Sequence, residues 1–173
     1  MARSVPPSLD AEALDLIVTQ WERERPDLDP APMRLFGLLV RGYALTTSYL
    51  NELLAGHGLT RGTFDVLSAL RRSGRPFRLT PKQLTESLML SGAGMTSRLD
   101  RLEAMSLISR HPDKTDRRSL QIELTPAGLE LIDETIPRFV EAQWKVASAL
   151  GSEDTAALIE LLGKVADILE EPN

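Results

Sequence analysis

Apolar residues recur at helical spacing along most of the chain, and prolines and glycines divide it into successive elements. A first helix is predicted after Ser8, which is placed to cap it, with apolar positions at Leu14, Ile17, Val18 and Trp21. Asp29 as cap and Pro30 at the first helical position predict a second, longer helix, whose apolar face comprises Met33, Phe36, Val40, Tyr43 and Leu50. The chain is therefore predicted to begin with two amphipathic helices.

Two shorter helices are predicted in the middle of the chain from their capping sequences. Thr60 is placed to cap a helix that ends at Gly74, and Leu59 and Phe64 have the spacing of a hydrophobic staple across its start. A capping box with a proline at the first helical position starts the next helix, which is short; its residues are Thr80, Pro81 and Gln83.

A further helix follows at once, and Ser91 is predicted to cap it. Its apolar face comprises Met95, Leu99, Leu102 and Met105. The other faces carry polar side chains, among them Ser97, Arg98, Asp100 and Arg101. A short helix, a tight turn and a second helix with a donor-rich front are typical of a helix-turn-helix. A plain helical hairpin inside an all-α bundle is the alternative interpretation.

The stretch "HPDKTDRRSLQIEL" predicts a β-hairpin with a charged tip. Leu107 and Ile108 form its first strand, and the returning strand alternates apolar with polar positions from residue 120 to residue 124. After a helix-turn-helix such a hairpin is a wing, and its cations can reach phosphates or the minor groove beside the recognition helix. These cations are Lys114, Arg117 and Arg118. A solvated hairpin tip that does not touch DNA is the alternative.

Two long amphipathic helices are predicted at the C-terminal end. Thr125 and Pro126 start the first, Pro137 is expected to kink it, and its apolar positions are Leu129, Ile132, Ile136, Phe139, Val140 and Trp144. Ser152 is predicted to cap the second, whose apolar stripe is Leu158, Leu162, Val165 and Leu169. These faces fit either a dimer interface or the chain's own core.

Charge is distributed unevenly along the chain. The net charge is −5, yet residues 60–118 carry +6 and residues 119–173 carry −8. A basic middle region can form a local footprint for phosphate while acidic ends keep the rest soluble. A basic surface that is merely solvated would give the same counts.

Composition argues against several other kinds of site. The chain has no cysteine, which excludes disulfides, thiolate metal sites and thiol redox chemistry. There is no glycine-rich phosphate loop, no metal-ligand spacing and no nucleophile near a plausible base, so we expect no metal, no cofactor and no enzymatic activity. No apolar run has the length of a membrane span or of a signal-peptide core, which favours a cytoplasmic protein without membrane contact.

The stretch "LSGAGMTSRLDRLEAMSLISRHPDKTDRRSLQIELTPAGLELI" resembles the MarR family of bacterial winged-helix regulators. The "DRR" wing followed by "LTPAG" carries the resemblance, which extends from about Met33 to the C-terminus. It implies a homodimer that binds double-stranded DNA, with N- and C-terminal helices in a shared dimer region. The predicted DNA-binding residues are Thr80, Gln83, Ser91, Thr96, Ser97, Arg101, Lys114, Arg117 and Arg118.

A narrower resemblance is to the urate-responsive branch of that family, and the stretch "FDVLSALRRSGRPFRLTPKQLTESLMLSGAGMTSRLDRLE" carries it. It implies four ligand-linked residues, Trp21, Asp65, Arg98 and Arg110, and a small aromatic anion such as urate bound between the dimer region and the recognition helix. A flat anion can stack on an indole and pair with a guanidinium. Each residue also has an ordinary role: core for Trp21, helix dipole for Asp65, phosphate contact for Arg98 and a wing brace for Arg110.

The sequence as a whole predicts a mainly α fold, a winged helix-turn-helix with a small β-hairpin wing and a helical dimerisation region. The predicted divisions are N-terminal helices at 1–58, the winged helix-turn-helix at 59–124 and C-terminal dimerisation helices at 125–173. The predicted function is a transcriptional repressor that a small aromatic anion such as urate releases from a pseudo-palindromic site. One alternative is a MarR-type regulator that responds to phenolic compounds or has no small-molecule ligand. Another is a helical adaptor that does not bind DNA.

Overall fold

A computed structural model of the chain describes residues 11–88, 94–112 and 120–171. Within these ranges lie seven helices and three strands, in the order α1 (Ala11–Glu24), α2 (Ala31–Ala55), α3 (Arg61–Arg72), β1 (Arg78–Leu79), α4 (Pro81–Ser87), α5 (Met95–Ala104), β2 (Ile108–Pro112), β3 (Leu120–Leu124), α6 (Pro126–Leu150) and α7 (Ser152–Glu170). The predicted fold class, mainly helical with a small hairpin wing, is confirmed. The chain divides into two compact units, residues up to 58 and residues from 59 onward.

In the first unit, α1 packs against α2. The approach is close at Gly37, where a Cβ would lie 2.4 Å from Cδ2 of Leu14. Leu14 is buried, whereas Ile17 and Trp21 on the same predicted stripe are more than a third exposed. The predicted cap Ser8 lies outside the described residues.

The start of α2 is one residue later than predicted. Pro30 occupies the cap position, and Pro32 supplies the proline of the first turn. The Asp29 carboxylate still serves the helix start, because it accepts a hydrogen bond from the amide of Ala31 at 3.0 Å. The predicted place of Pro30 at the first helical position is therefore wrong, although Asp29 binds an otherwise unpaired amide of the first turn.

In the second unit, α3 packs against α4, α5, α6 and β3. Its side chains Phe64, Val66, Leu67 and Leu70 are almost fully buried. The predicted cap Thr60 is confirmed, since its hydroxyl accepts a hydrogen bond from the amide of Thr63 at 3.3 Å. Gly74, with φ of +78°, follows the end of the helix as predicted.

The predicted capping box of α4 is also confirmed. The Thr80 hydroxyl accepts from the amide of Gln83 at 3.2 Å, and the Gln83 side-chain oxygen accepts from the amide of Thr80 at 2.9 Å. Leu84 is fully buried on the inner face of this helix. The box fixes where the helix-turn-helix begins.

The start of α5 differs from the prediction. The helix begins at Met95 behind Gly94, which has φ of +79° and no side chain to act as a cap. The prediction that Ser91 caps this helix is therefore wrong, and Ser91 itself lies outside the described residues. Met95, Leu99 and Leu102 are buried as predicted. Met105 is instead 38% exposed, because α5 has ended and Met105 belongs to the turn that follows.

The sheet contains the predicted hairpin and one strand that was not predicted. Its order is β1-β3-β2, with antiparallel pairing throughout. The first hairpin strand begins at Ile108 and runs to Pro112, so the prediction that Leu107 belongs to it is wrong. Leu107 is buried in the turn before the strand.

In β3, Ile122 and Leu124 are buried as predicted, whereas Leu120 is 45% exposed because it pairs with Pro112 at the far end of the hairpin. The wing cations Lys114, Arg117 and Arg118 lie outside the described residues.

Helix α6 begins in close contact with the turn that precedes the wing. The predicted cap Thr125 is confirmed, with its hydroxyl accepting from the amide of Gly128 at 3.0 Å. Gly128 allows the contact, because a Cβ there would lie only 2.0 Å from the carbonyl oxygen of Leu107. The amide of Thr125 donates to that same oxygen at 3.1 Å. The glycine of "LTPAG" is therefore required by packing.

The outer parts of α6 and all of α7 leave apolar side chains exposed. In α6, which continues through Pro137, Ile132 and Phe139 are buried but Trp144 is 64% exposed. No residue of α7 is buried. The predicted cap Ser152 is wrong: Gly151 takes that position with φ of +91°, and Ser152 is already the first helical residue. No helix in the described ranges is long and apolar enough to cross a membrane.

Candidate nucleic-acid interface and effector site

Helix α5, the second helix of the helix-turn-helix, presents an exposed polar face. Thr96, Ser97 and Arg101 are all exposed, opposite the buried apolar side chains of the same helix. These are the residue types that reach base edges and phosphates when such a helix enters a major groove. Three of the predicted DNA-binding residues are therefore exposed on one helix.

Thr80 and Gln83 are already engaged with each other at the start of α4. The oxygen of the Gln83 side chain accepts from the amide and from the hydroxyl of Thr80. Gln83 is exposed, so its side-chain nitrogen is the group with which it can donate to DNA. The predicted DNA residues Ser91, Lys114, Arg117 and Arg118 lie outside the described residues.

Arg98 leaves the edge of the polar face and lies against the first turn of α3. A Cβ built at Gly62 would come within 2.6 Å of its Nε and 3.1 Å of its Cζ. The Nη1 nitrogen of Arg98 is buried and has no hydrogen-bond partner among the described residues. The recognition helix therefore places a partly buried, incompletely paired cation between itself and α3.

Asp65, one turn further along α3, supplies the matching anion. Its side chain is 11% exposed, and its Oδ1 pairs with Nε of Arg61 at 2.9 Å. Its Oδ2 is buried without a hydrogen-bond partner among the described residues. Arg61 in turn lies over the ring of Phe139 from α6, with 5.4 Å from Cζ to the ring centroid. The structure thus brings the predicted residues Asp65 and Arg98 to one junction of α3 and α5.

Burial dominates the electrostatics of Asp65. Removal from water raises the pKa of Asp65 above 3.8, and the charges of Arg61, Arg98 and Arg72 only partly offset this effect. Arg61 and Arg72 were not among the predicted site residues. Their spacing could have revealed them, because i−4 and i+7 from Asp65 share its face of a helix.

The structure places Arg110 on the other flank of the recognition helix. From β2 its guanidinium pairs with Asp100, and its Nε lies 3.3 Å from the carboxylate of Glu103. Asp100 stands about 200° around the helix from Arg98, at 3.6 residues per turn. Within the described residues, the ion pairs of Arg110 are thus with α5 and not with Asp65. Arg110 connects the recognition helix to the first strand of the wing.

Trp21, the fourth predicted ligand residue, lies on α1 in the first unit. Its side chain is 43% exposed. An indole with that exposure still presents an aromatic surface on which a planar ring can stack.

Comparisons with known proteins agree with this architecture. Residues 57–119 match the model of the MarR family. The transcriptional regulator PecS of Dickeya dadantii is 40% identical over 149 residues, which span 86% of this chain and 90% of PecS. The chain belongs to the MarR family. It is thus a winged-helix, DNA-binding transcriptional regulator and not an enzyme.

Two solved structures share the fold. BpsR of Bordetella bronchiseptica, whose DNA binding is regulated by 6-hydroxynicotinic acid, is 27% identical, with a TM-score of 0.66 over 75% of this chain and 91% of that one. A mutant of MarR from E. coli in complex with operator DNA is 24% identical, with a TM-score of 0.66 over 84% of this chain and 96% of that one. The second likeness concerns the fold alone.

Metal binding has no structural basis in the part of the MarR-family chain that the structure describes. Over residues 11–88, 94–112 and 120–171, no three histidine, aspartate or glutamate side chains group in a way that could hold an ion. The charged groups at the junction of α3 and α5 are instead one buried carboxylate and three guanidinium groups.

The raised pKa of Asp65 predicts a pH-dependent stability. A carboxyl whose pKa is higher in the folded state than in the unfolded state stabilises the fold as the pH falls through that interval, because the folded state then binds more protons. We expect the free energy of unfolding of the parent to rise relative to that of Asp65→Asn between pH 7 and pH 4. Chemical denaturation of both proteins at constant ionic strength measures this difference. Curves that stay parallel, or that diverge in the opposite sense, would contradict it.

Proposed function

We propose that this MarR-family regulator is a homodimeric repressor and that a small aromatic anion, urate or a related purine, releases it from a pseudo-palindromic site. The observation that carries the effector proposal is that Nη1 of Arg98 and Oδ2 of Asp65, both buried where α3 meets α5, have no hydrogen-bond partner among the described residues. Buried polar atoms of this kind cost about 1–3 kcal/mol each, so a ligand that pairs with them gains affinity. BpsR, which shares the fold, has its DNA binding regulated by 6-hydroxynicotinic acid, a small aromatic acid.

The two buried atoms define what the effector must offer. Arg98 provides a donor and Asp65 an acceptor, so the ligand needs an acceptor and an N–H donor on neighbouring positions. The lactam edge of urate or xanthine has both. A carboxylate such as benzoate can accept from Arg98, but it has no N–H group to donate to Asp65. This chemistry favours a purine over a simple aromatic acid.

The site is connected to DNA binding through the recognition helix itself. Arg98 faces α3 from one flank of α5, and Arg110 ties the other flank to the wing through Asp100 and Glu103. In the proposed mechanism an anion near Asp65 repels its carboxylate and draws Arg98, α5 shifts, and Arg110 carries the shift to the wing. Trp21 is assigned as the stacking residue because of the resemblance to the urate-responsive branch.

We expect urate and xanthine to bind the protein in the absence of DNA and to weaken DNA binding by roughly 5–150-fold, the usual range of such coupling. Benzoate should bind more weakly than either purine. Arg98→Ala should lose most of the urate affinity because the buried donor is gone, and Trp21→Phe should lose part of it. Calorimetric titration without DNA measures these affinities.

Arg101→Ala is the matched control for this experiment. It removes the same side chain from an exposed position of α5, so DNA binding should weaken while urate affinity stays at the parental value. If Arg98→Ala and Trp21→Phe both bind urate as tightly as the parent, the effector site is elsewhere. If the parent binds neither purine at millimolar concentration, the regulator responds to another ligand or to no small molecule.

The proposed DNA contacts are the exposed face of α5 and the wing. Arg118→Ala should weaken binding to all sequences and lower the slope of log K against log salt by about one unit for each phosphate that is no longer bound. Arg138→Ala on α6, an exposed arginine paired with Glu134, should leave the slope unchanged. Fluorescence anisotropy with the adjacent intergenic DNA at several salt concentrations measures it. A parental slope in both Arg117→Ala and Arg118→Ala would show that the wing does not touch DNA.

The dimer proposal is supported by the exposed apolar side chains of α2, α6 and α7. Trp144, Ile159 and Ile168 are each more than 60% exposed, and Phe36 and Tyr43 more than half. Burial of such side chains against a second copy is worth about 1.5–3 kcal/mol each. Two-fold symmetry would place the half-sites about one helical turn, ~10 bp, apart.

Sedimentation equilibrium at micromolar concentration should give twice the mass of one chain. Ile159→Glu should shift the equilibrium toward monomer because it places a charge in the apolar face. Lys164→Glu on the same helix changes the charge more but removes no apolar side chain, so it should stay dimeric. A parent protein that sediments as a monomer would overturn the dimer.

A further inference from the structure

A glycine stands in the first turn of α3 without a backbone reason for it. Gly62 is the second residue of the helix, and glycine is less favourable than alanine inside helices. Its φ is outside the left-handed region that requires glycine. The residue must therefore be explained by what packs against it.

The neighbour of Gly62 is Arg98 of the recognition helix. The three atoms nearest to a Cβ at this position all belong to Arg98, with Nε at 2.6 Å and both Cδ and Cζ at 3.1 Å. A contact of 2.6 Å is closer than Cβ atoms tolerate, so one of the two groups would have to move. The colliding group is the end of a flexible side chain, so an alanine at position 62 would displace the guanidinium and leave the helix in place.

The position of that guanidinium matters because of what surrounds it. Gly62 and Asp65 are three residues apart and share a face of α3, so the arginine that lies on Gly62 faces the buried carboxylate. Nη1 of Arg98 and Oδ2 of Asp65 are both buried without partners among the described residues. A shift of the guanidinium would change the spacing between the donor and the acceptor that a ligand has to match.

We propose that Gly62 is a positioning residue of the effector site. Because Gly62 has no side chain, the guanidinium of Arg98 can lie directly against the backbone of α3, facing Asp65. Gly62 thereby determines where the Arg98 guanidinium lies against α3. The part that concerns ligand affinity rests on the proposed function. The part that concerns the placement of Arg98 rests on the packing alone.

A double-mutant cycle tests the proposal. The variants are Gly62→Ala, Arg98→Ala and the double variant, with Gly163→Ala as the matched control because no atom lies within 4 Å of a Cβ there. Urate titrations without DNA should show a Kd raised about tenfold or more in Gly62→Ala, the value of one charge-assisted hydrogen bond. The double variant should bind no more weakly than Arg98→Ala, because no guanidinium remains to be displaced. Gly163→Ala should bind urate like the parent.

Gly62→Ala is expected to fold at least as stably as the parent, since alanine is the better helix former. Circular dichroism and thermal unfolding check this, so that a loss of affinity is not confused with a loss of structure.

A second measurement needs no ligand. The charge of Arg98 lowers the pKa of Asp65, together with the charges of Arg61 and Arg72 on α3, so moving the guanidinium away should raise that pKa. Carbon-13 NMR titration of the Asp65 carboxyl should show the rise in Gly62→Ala and in Arg98→Ala, with no further rise in the double variant.

The two measurements separate the two proposals. If the parent binds no urate while the NMR pattern holds, the effector assignment fails and the positioning role stands. If Gly62→Ala leaves the Asp65 titration at its parental value, the positioning role is overturned. The same follows if Gly62→Ala weakens urate binding equally with and without Arg98, because the glycine then does not act through the arginine.

Discussion

The burial of α3 is the constraint on which the DNA-binding unit depends. Phe64, Val66, Leu67 and Leu70 are almost fully withdrawn from water, and α4, α5, α6 and β3 all pack against this one helix. Burial of each such side chain stabilises the fold by about 1.5–3 kcal/mol. The helix therefore stays in place, and Asp65 becomes a buried carboxylate because its neighbours along the chain are core residues.

The recognition helix is held by weaker forces than α3. It buries only Met95, Leu99 and Leu102. On one flank the side chain of Arg98 packs against α3, and on the other Arg110 forms ion pairs toward the wing. Partly exposed ion pairs are typically worth about 0–1 kcal/mol. In the proposed mechanism, the effector acts on these charged contacts at the flanks of α5 and not on the apolar core around α3. Helix α3 is thus held mainly by apolar burial, whereas α5 combines apolar burial with ion pairs at its surface.

Features that depend on neighbouring residues were predictable from the sequence, and contacts between distant elements were not. Thr60, Thr80 and Thr125 cap as predicted, because each bonds an amide three residues ahead. The failures at α5 and α7 share one cause: a glycine with positive φ takes the cap position, and the chain turns into the helix without a side-chain oxygen. Strand β1 has two residues and pairs with a strand more than forty residues away, so no local pattern reports it. At the site, the resemblance supplied Asp65 and Arg98, and helical spacing could have added Arg61 and Arg72, but only the packing revealed that Gly62 lies beneath Arg98.

The contact at Gly128 limits how this protein can change shape. The first turn of α6 meets the carbonyl of Leu107 backbone to backbone, and the amide of Thr125 bonds that same oxygen. No side chain lies between them that could change rotamer and absorb a displacement. The base of the wing and the start of α6 must therefore move together. A displacement of the wing base would therefore reach the first turn of α6 directly through the backbone.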